Sequence, residues 1–266
     1  MTAIVALDGV LDEGRYGGKA AQLSTAARAG LPVPHGVALD WAALEAFAAG
    51  QIDPISAIAS MLDLSNGVAV RSSAVGEDSE HASFAGLYTT VLNVRSERGL
   101  AEALRAVQAS ARTDAALVYR RKLGIRSEPR LAAVIQVLVS ASVGGVLFTR
   151  DPVTGEDVRL VEATWGSPKI VADGTIIPDS YRIARGGRIL DRRPGTKDTA
   201  IRCNGDREGV RCQQVGAEES AALCLADDDL LNLENLASRC EVTFPGTQDL
   251  EFAFDGHVLF LLQRRA

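Results

Sequence analysis

The fold is decided by residues 68–94, which read V-A-V-R-S-S-A-V-G-E-D-S-E-H-A-S-F-A-G-L-Y-T-T-V-L-N-V. The apolar run that begins at Val68 predicts a buried strand, and Arg71 stands where that run ends. A polar loop follows up to Gly86, and a second strand-like run covers residues 89–94. A guanidinium can give two parallel hydrogen bonds to a phosphate, and a loop with hydroxyls and glycines can fold its N–H groups over a polyphosphate. Local composition is equally consistent with a surface hairpin that carries a solvated arginine.

The composition is that of an ordinary globular protein. The chain has 266 residues, 47% of them hydrophobic and 23% charged, which is enough for one large or two small domains. Its formal net charge of −6 argues against nonspecific nucleic-acid binding but leaves room for a local basic pocket. Asp8 interrupts the N-terminal apolar segment before it could act as a signal peptide, and no run reaches the length of a membrane span.

The cysteine pattern indicates the compartment. The four cysteines lie in the C-terminal third, at Cys203, Cys212, Cys224 and Cys240, with spacings that do not fit paired C-x-x-C zinc sites. A chain of this size does not need disulfides for stability. We therefore expect reduced thiols and a cytoplasmic protein, with a metal or disulfide role as the less favoured alternative.

Hydrophobic periodicity divides the chain into two lobes. Gly17 precedes a helical pattern, and residues 97–122 are interpreted as one long amphipathic helix. After Pro129 the sequence becomes rich in strand-forming runs separated by turn residues. We place the boundary near residue 125. This predicts an N-terminal lobe of residues 1–125 and a C-terminal lobe of residues 126–266.

Two polar residues, one in each predicted lobe, are candidates for a binding site. Lys19 follows two glycines at a helix start, where the helix N-terminus and the ammonium both favour a phosphate. Gln136 lies inside an apolar run, where a polar side chain must find a partner. Each has a plainer explanation, because most lysines are solvated and a buried glutamine can bond to a neighbouring loop.

The C-terminal residues suggest a metal site. Asp249 and Glu251 are two residues apart, so their carboxylates share one face of a strand and repel unless a cation separates them. Gln263 and Arg265 repeat this spacing. We predict Glu251 and Gln263 as Mg²⁺ ligands with Asp249 in support, because Mg²⁺ prefers oxygen ligands. Asp255, Gly256 and His257 should form a three-residue or bulged turn that sets Asp249 opposite Gln263; the alternative is a solvated hairpin edge.

Four segments of the chain, in order, resemble one family of nucleotide-binding domains. They are Gly17–Ala20 with Ala29–Pro34; V-R-S-S-A followed by A-S-F-A-G and L-N-V; Gly145–Gly155; and Gln248–Glu251 with Leu262–Arg265. Together they are similar to the domain shared by phosphoenolpyruvate synthase, pyruvate phosphate dikinase and rifampicin phosphotransferase. The resemblance implies an α+β class, with a two-lobed ATP-grasp-like fold of mostly antiparallel sheets and flanking helices. It also implies ATP and Mg²⁺ as cofactors.

The resemblance assigns roles to matching residues. Lys19, Arg71 and Arg265 correspond to catalytic, phosphate-binding positions, and Lys19 and Arg71 would lie in the first lobe. Further nucleotide contacts are implied for Ser83, Gly86, Gln136, Leu138, Glu162, Glu251 and Gln263. Gln136 and Leu138 match the segment that passes the adenine. After Glu162 the chain departs from the family, because Ser167-Pro168-Lys169 stands where Leu-Gly-Glu is usual.

Three functions are compatible with these residues. The first is an ATP-dependent phosphotransferase component that passes phosphate to a histidine on a separately encoded swivelling-domain partner, since no such domain follows Arg265 in this sequence. The second is a self-sufficient small-molecule kinase, and the third is a non-catalytic nucleotide-binding regulatory module. We favour the first, with ATP as ligand and neither nucleic acid nor membrane as a partner.

Overall fold

The computed structural model describes residues 3–76, 88–122, 124–125 and 127–265. They form two compact units. Unit 1 takes its described residues from Met1–Arg28, Pro34–Leu138 and Asn204–Gly209, and unit 2 takes them from Ala29–Val33, Val139–Cys203 and Val210–Ala266. Each unit combines helices with antiparallel strands, so the predicted α+β class is confirmed. Within these ranges, every helix is too short or too polar to cross a lipid bilayer.

Unit 1 is built on a five-stranded antiparallel sheet. Its strands are β1 (Ile4–Ala6), β2 (Gly36–Leu39), β3 (Val68–Ala74), β4 (Thr90–Val94) and β5 (Leu131–Val137). Its helices are α1 (Glu13–Arg28), α2 (Trp41–Ala48), α3 (Ile55–Met61), α4 (Glu97–Ser110) and α5 (Asp114–Lys122). The strand order is β1-β2-β5-β3-β4, with every neighbouring pair antiparallel.

The core of unit 1 lies on one face of this sheet. Alternate residues of β3 and β5, among them Val70 and Ile135, pack there against α2, α3 and α4. Leu44, Leu100 and Leu104 from the helices are fully buried in the same cluster. Each such side chain contributes roughly 1.5–3 kcal/mol by leaving water. Helix α1 packs against β3 and β5 as well, and it buries its own apolar residues there.

Two predictions about this unit are wrong. The residues 97–122 are not one helix, because α4 ends at Ser110 and α5 begins at Asp114. The Thr113 hydroxyl accepts a hydrogen bond from the N–H of Ala116, as a helix N-cap does. Strand β5 does not belong to a second lobe that begins at residue 126; it pairs with both β2 and β3 in the sheet of unit 1. An apolar run predicts a buried strand without indicating which sheet will bury it.

Unit 2 is built on a six-stranded antiparallel sheet. Its strands are β6 (Val143–Phe148), β7 (Val158–Trp165), β8 (Asp179–Ala184), β9 (Ile189–Arg193), β12 (Asp249–Asp255) and β13 (Val258–Arg265), in the order β13-β12-β6-β7-β8-β9. A separate hairpin joins β10 (Thr199–Cys203) to β11 (Val210–Gln214). The helices are α6 (Lys169–Ala172), α7 (Ala217–Ala221) and α8 (Asp227–Thr243).

Helix α8 covers one face of the large sheet. Arg159 of β7 is completely buried, and its guanidinium gives two hydrogen bonds of 2.8 Å to the carboxylate of Glu241 on α8. Arg185 bonds to the same carboxylate. Burial by itself raises the pKa of Glu241, but the hydrogen bonds from the two arginines outweigh it and lower the pKa to about 2. The paired charges therefore fix the helix to the sheet.

Candidate active site

A glycine brings helix α1 into direct contact with strand β3. Gly17 has φ +78° and ψ +167°, and a Cβ at this position would lie 2.2 Å from the carbonyl oxygen of Ser73. Only glycine tolerates both the conformation and the close approach. Three residues later, the N–H of Ala20 donates to Ser73 Oγ at 3.0 Å. The sequence predicted a helix start at the two glycines, whereas α1 already begins at Glu13 and is interrupted at Gly17. The contact with Ser73 was not predicted.

The same contact fixes Lys19. Its Nζ donates a hydrogen bond of 2.9 Å to the carbonyl oxygen of Ser72, and only 7% of the residue is exposed. Lys19 is therefore a buried, hydrogen-bonded lysine and not a solvated surface residue. The ammonium is held beside the backbone of β3, one residue from Arg71.

Arg71 lies on the face of β3 that helix α1 contacts. Because side chains alternate along a strand, Arg71 shares its face with Ser73, while Val70 points into the core on the opposite face. Arg71 is half-buried, whereas the other six residues of β3 are buried. Strand β3 continues to Ala74, so Arg71 lies in the middle of the strand and not, as predicted, where it ends. An ammonium and a guanidinium are thus both held at the middle of β3, and cations of this kind suit a phosphate.

Gln136 and Leu138 belong to unit 1. Gln136 pairs with Ala69, so it shares the sheet face of Arg71. Its side chain is 2% exposed, and Nε2 donates to the carbonyl oxygen of Pro34 at 3.4 Å. The N–H of Leu138 donates to the carbonyl oxygen of Gly67 at 3.1 Å. These partners are the neighbouring-loop contacts expected of a buried polar group, and adenine recognition by either residue stays a prediction.

The hairpin of β12 and β13 differs from its prediction. Asp255 pairs with Val258, so the loop has two residues, Gly256 and His257, and the predicted three-residue turn is wrong. The register instead shifts between Glu251 and Phe252, where Leu262 is the extra residue on β13. This bulge gives the shared polar face that the sequence analysis expected from a three-residue turn. Glu251 pairs with Gln263 and Asp249 pairs with Arg265, so the four polar residues share one face, although Asp249 does not face Gln263.

Arg265 joins the two predicted metal ligands. One terminal nitrogen of its guanidinium lies 2.9 Å from Glu251 Oε1. When the Gln263 amide is turned so that both groups are satisfied, its oxygen accepts from Arg265 Nε at 2.8 Å and from the terminal nitrogen at 3.1 Å. Arg264 points to the opposite face, where it stacks 4.6 Å from the ring centre of Phe244 and donates to Gln248.

The polar residues continue across the sheet as a row. Glu251 of β12 pairs with Val146 of β6, and Val146 pairs with Glu162 of β7, so all three side chains share one face. In the adjacent row, Asp249 aligns with Phe148 and Leu160. These six residues are half-buried, whereas their neighbours along each strand are mostly buried beneath the opposite face. Apolar and carboxylate groups therefore alternate on one accessible surface, which suits both a flat ring and a cation. Sequence analysis identified its carboxylates but not Val146, Phe148 and Leu160, although the alternation of strand residues would have placed them beside Glu162.

The oxygen ligands on this face fit Mg²⁺ bound together with phosphate. Burial raises the pKa of the Asp249 carboxyl, and the nearby Arg265 and Arg264 partly oppose that effect. A nearby divalent cation would favour the ionised form of such a group. The described residues contain no cluster of three or more His, Cys, Asp or Glu side chains that could hold a metal by themselves. Mg²⁺ commonly takes one or two protein carboxylates and completes its shell with phosphate oxygens and water.

Part of the predicted site lies outside the described residues, namely Ser83 and Gly86 of the polar loop. Lys169, which stands where the family usually has an acidic residue, is exposed and pairs with Asp173 at 2.7 Å. The exposed His35 and His257 are the histidines of the described residues.

Comparison with known proteins identifies the class. A profile of the pyruvate phosphate dikinase AMP/ATP-binding domain matches residues 52–266, and the chain belongs to this family. The resemblance found in the sequence is thereby confirmed. Apart from Gly17 and Lys19, the site residues described above fall within the matched range.

Three relatives illustrate the family. Rifampicin phosphotransferase of Bacillus subtilis is 33% identical over 200 residues, covering 74% of this chain and 23% of that protein. A probable phosphoenolpyruvate synthase of Methanothermobacter thermautotrophicus is 34% identical over 202 residues, covering 74% of this chain and 29% of that protein. The prodigiosin synthesizing transferase PigC of Serratia marcescens is 31% identical over 301 residues, covering 99% of this chain and 33% of that protein. The chain thus spans about a quarter to a third of the length of these relatives.

Among solved structures, the D-alanine–D-alanine ligase of Bacillus anthracis complexed with ATP overlaps with 93% of this chain and 54% of its own, at 8% identity and a TM-score of 0.43. That overlap is too weak to support an inference about function.

Proposed function

We propose that this chain binds Mg-ATP and acts as an ATP-dependent phosphotransferase component, resembling the ATP-binding domain of phosphoenolpyruvate synthase, that passes phosphate to a histidine on a separate partner protein. The observation that carries the proposal is the match to an AMP/ATP-binding domain family over residues 52–266. Rifampicin phosphotransferase and probable phosphoenolpyruvate synthases are among the relatives. The four cysteines, none of them in a disulfide, suit a reducing compartment such as the cytoplasm.

The phosphate groups are assigned to Lys19 and Arg71. Both are cationic, both lie at β3, and neither is a freely solvated surface residue. Negative charge develops on the departing phosphate oxygens during transfer, and positioned cations stabilise it. The guanidinium of Arg71 supplies the bidentate geometry, and the ammonium of Lys19 supplies a compact charge beside it.

The metal is assigned to Glu251 and Gln263, with Asp249 beside them. When bound, Mg²⁺ would neutralise part of the negative charge of the phosphates. The chain's own contribution is to hold an oxygen from each of two neighbouring strands on one face of the sheet. Val146, Phe148 and Leu160 supply apolar surface on that face, and we assign the base and sugar of the nucleotide to contacts with such residues and with Glu162.

The proposed transfer forms one bond and breaks one bond. A nitrogen of the partner's histidine attacks one phosphorus of ATP, and a new P–N bond forms. The bond from that phosphorus to its bridging oxygen breaks, and the electron pair stays with the leaving phosphate group. Attack at the γ-phosphorus transfers one phosphoryl group and releases ADP, whereas attack at the β-phosphorus transfers the β- and γ-phosphates together as a pyrophosphoryl group and releases AMP.

Calorimetry tests the binding part of the proposal. Wild-type protein should bind ATP with Mg²⁺ present and bind it more weakly with the metal removed. Glu251→Gln should weaken Mg-ATP binding, whereas Glu218→Gln, a matched change at an exposed residue of α7, should leave it unchanged. No binding of ATP in the presence of Mg²⁺ would contradict every enzymatic function considered for this chain.

Labelled nucleotides test the acceptor. The protein is incubated with ATP labelled at the β- or the γ-phosphorus, together with the histidine-bearing domain of a phosphoenolpyruvate synthase as the probe. Acid-labile, base-stable label on that domain is expected. Bound ATP that yields no protein-bound label, but does yield a phosphorylated small molecule, would favour a self-sufficient kinase.

A further inference from the structure

Arg265 occupies the position between the two oxygens assigned to the metal. Its guanidinium contacts Glu251 Oε1 at 2.9 Å, and the Gln263 oxygen lies 2.8 Å from its Nε. The three residues are fixed by register, because Glu251 and Gln263 face each other across the hairpin and Arg265 follows Gln263 by two residues. Arg265 is two-thirds buried and Glu251 more so, so water competes only in part for this contact.

We propose that Arg265 is an internal cation that fills this site until nucleotide arrives, so that a divalent cation enters only together with the nucleotide phosphates. The inference rests on the proposed function and specifies how its site is regulated. It concerns the order of binding, not the identity of the ligands.

Simultaneous occupancy is disfavoured by distance and charge. A Mg²⁺ ion binds its oxygen ligands at about 2.0–2.1 Å and requires near-octahedral space around them. The guanidinium already directs N–H groups at the same two oxygens, and two cations at one carboxylate repel each other. Metal binding to Glu251 and Gln263 therefore requires Arg265 to leave.

Nucleotide phosphates make that departure favourable. A guanidinium binds phosphate oxygens through two parallel hydrogen bonds, at least as well as it binds one carboxylate oxygen and one amide oxygen. Arg265 thus exchanges one set of oxygens for another instead of losing its partners. Without nucleotide, the metal meets the full competition of the guanidinium for Glu251 and Gln263.

Manganese tests the inference without turnover. Binding of Mn²⁺ alone is measured by electron paramagnetic resonance for wild type, Arg265→Met, Arg265→Lys and Arg193→Met. Arg265→Met should bind Mn²⁺ about tenfold more tightly than wild type, the factor equivalent to one charge-assisted hydrogen bond removed from competition. Arg193→Met removes a charge at an exposed site on β9 and should match wild type. Adding Glu251→Gln to Arg265→Met should abolish the gain.

The lysine variant distinguishes the effect of contacting both oxygens from the effect of positive charge alone. Arg265→Lys keeps a cation but has no fork to contact both oxygens, so it should bind Mn²⁺ more tightly than wild type and less tightly than Arg265→Met. If Arg265→Lys and wild type bound Mn²⁺ with equal affinity, positive charge alone would explain the effect, and the proposal would be overturned. An unchanged or weaker affinity in Arg265→Met, or an equal gain in Arg193→Met, would overturn it as well.

A measurement on the wild type covers the case in which the variants do not fold. The Nε–H of Arg265 should be protected from hydrogen exchange in the ligand-free protein, and its resonance should shift when Mg²⁺ and a non-hydrolysable ATP analogue are added together. An unprotected Nε–H, or a shift produced by Mg²⁺ alone, overturns the proposal. Calorimetry with Mg-ATP on the same sample tests the proposed function separately, so failure of ATP binding and failure of the order of binding are distinguishable.

Discussion

Replacing Gly17 by alanine should destabilise unit 1 and displace Lys19. Gly17 has φ +78° and ψ +167°, a region that is essentially restricted to glycine and costs other residues about 1–3 kcal/mol. The added Cβ would lie 2.2 Å from the carbonyl oxygen and 2.5 Å from the carbonyl carbon of Ser73. Both atoms are backbone, so no side chain can rotate away to relieve the overlap.

The two effects act together on the free energy of unfolding. Forcing extra volume into a packed contact typically costs about 1–3 kcal/mol, and this is added to the conformational cost. We expect Gly17→Ala to lower the free energy of unfolding by about 3 kcal/mol or more. Because Lys19 reaches Ser72 through the same contact, the variant should also weaken binding of Mg-ATP.

Urea-induced unfolding followed by circular dichroism measures the loss, and calorimetry measures binding. Gly14→Ala is the matched control in the same helix, since Gly14 has an ordinary φ and its nearest neighbour is the flexible Asp12 carboxylate. That change should be neutral or stabilising by roughly 0.5–1 kcal/mol. An unfolding midpoint of Gly17→Ala equal to wild type would refute the steric argument. Reduced stability with unchanged nucleotide affinity would refute the positioning of Lys19.

Three further changes test other parts of the molecule. Arg71→Ala should weaken ATP binding by about 1.5–3 kcal/mol in calorimetry, with the exposed Arg98→Ala as control, and wild-type affinity would exclude Arg71 from the phosphate site. Asp249→Asn should raise stability at pH 7 in urea melts without metal, because burial raises the pKa of this carboxyl and the folded protein is penalised when the group ionises. The gain should shrink as pH falls through the raised pKa and vanish below 3.8, the ordinary value. Glu241→Gln should cost about 3 kcal/mol at pH 7, since buried Arg159 loses the nearer of its two carboxylate partners and keeps only Glu234, at 3.6 Å. The pKa of Glu241 is lowered from 4.5 to about 2, so its stabilising contribution is present above pH 4.5 and lost as pH falls towards 2; a loss that persists undiminished at pH 2 would contradict this.

The features that the sequence predicted correctly are those set by the alternation of residues along a strand. A buried strand beginning at Val68 was expected and is found as β3, although it continues past Arg71 to Ala74 instead of ending there. The shared face of Glu251 and Gln263 was expected from their spacing, and the register brings them opposite each other. In both cases alternation of buried and polar residues along a strand carries the information.

Two errors are local, namely the break between α4 and α5 and the length of the loop between β12 and β13. The others concern contacts between distant segments. The apolar run of β5 indicated burial but not its partners β2 and β3, so Gln136 was assigned to the wrong lobe. The close approach of Gly17 to Ser73 joins residues that are far apart in the chain, and two glycines before a helix are also compatible with a simple turn. Such information lies in the packing of segments against each other, which periodicity does not encode.

The bulge at Leu262 shows how the hairpin reconciles two requirements. With a two-residue loop and a regular ladder, Glu251 would pair with Leu262, and Gln263 would lie on the buried face. The extra residue returns Gln263 and Arg265 to the face of Glu251 but moves Arg264 to the buried face, opposite Leu250. There Arg264 stacks on Phe244 and bonds to Gln248, which itself donates to three backbone carbonyl oxygens. A buried guanidinium is costly unless it is paired, so these contacts of Arg264 are what allow the bulge, and the bulge in turn allows the polar face.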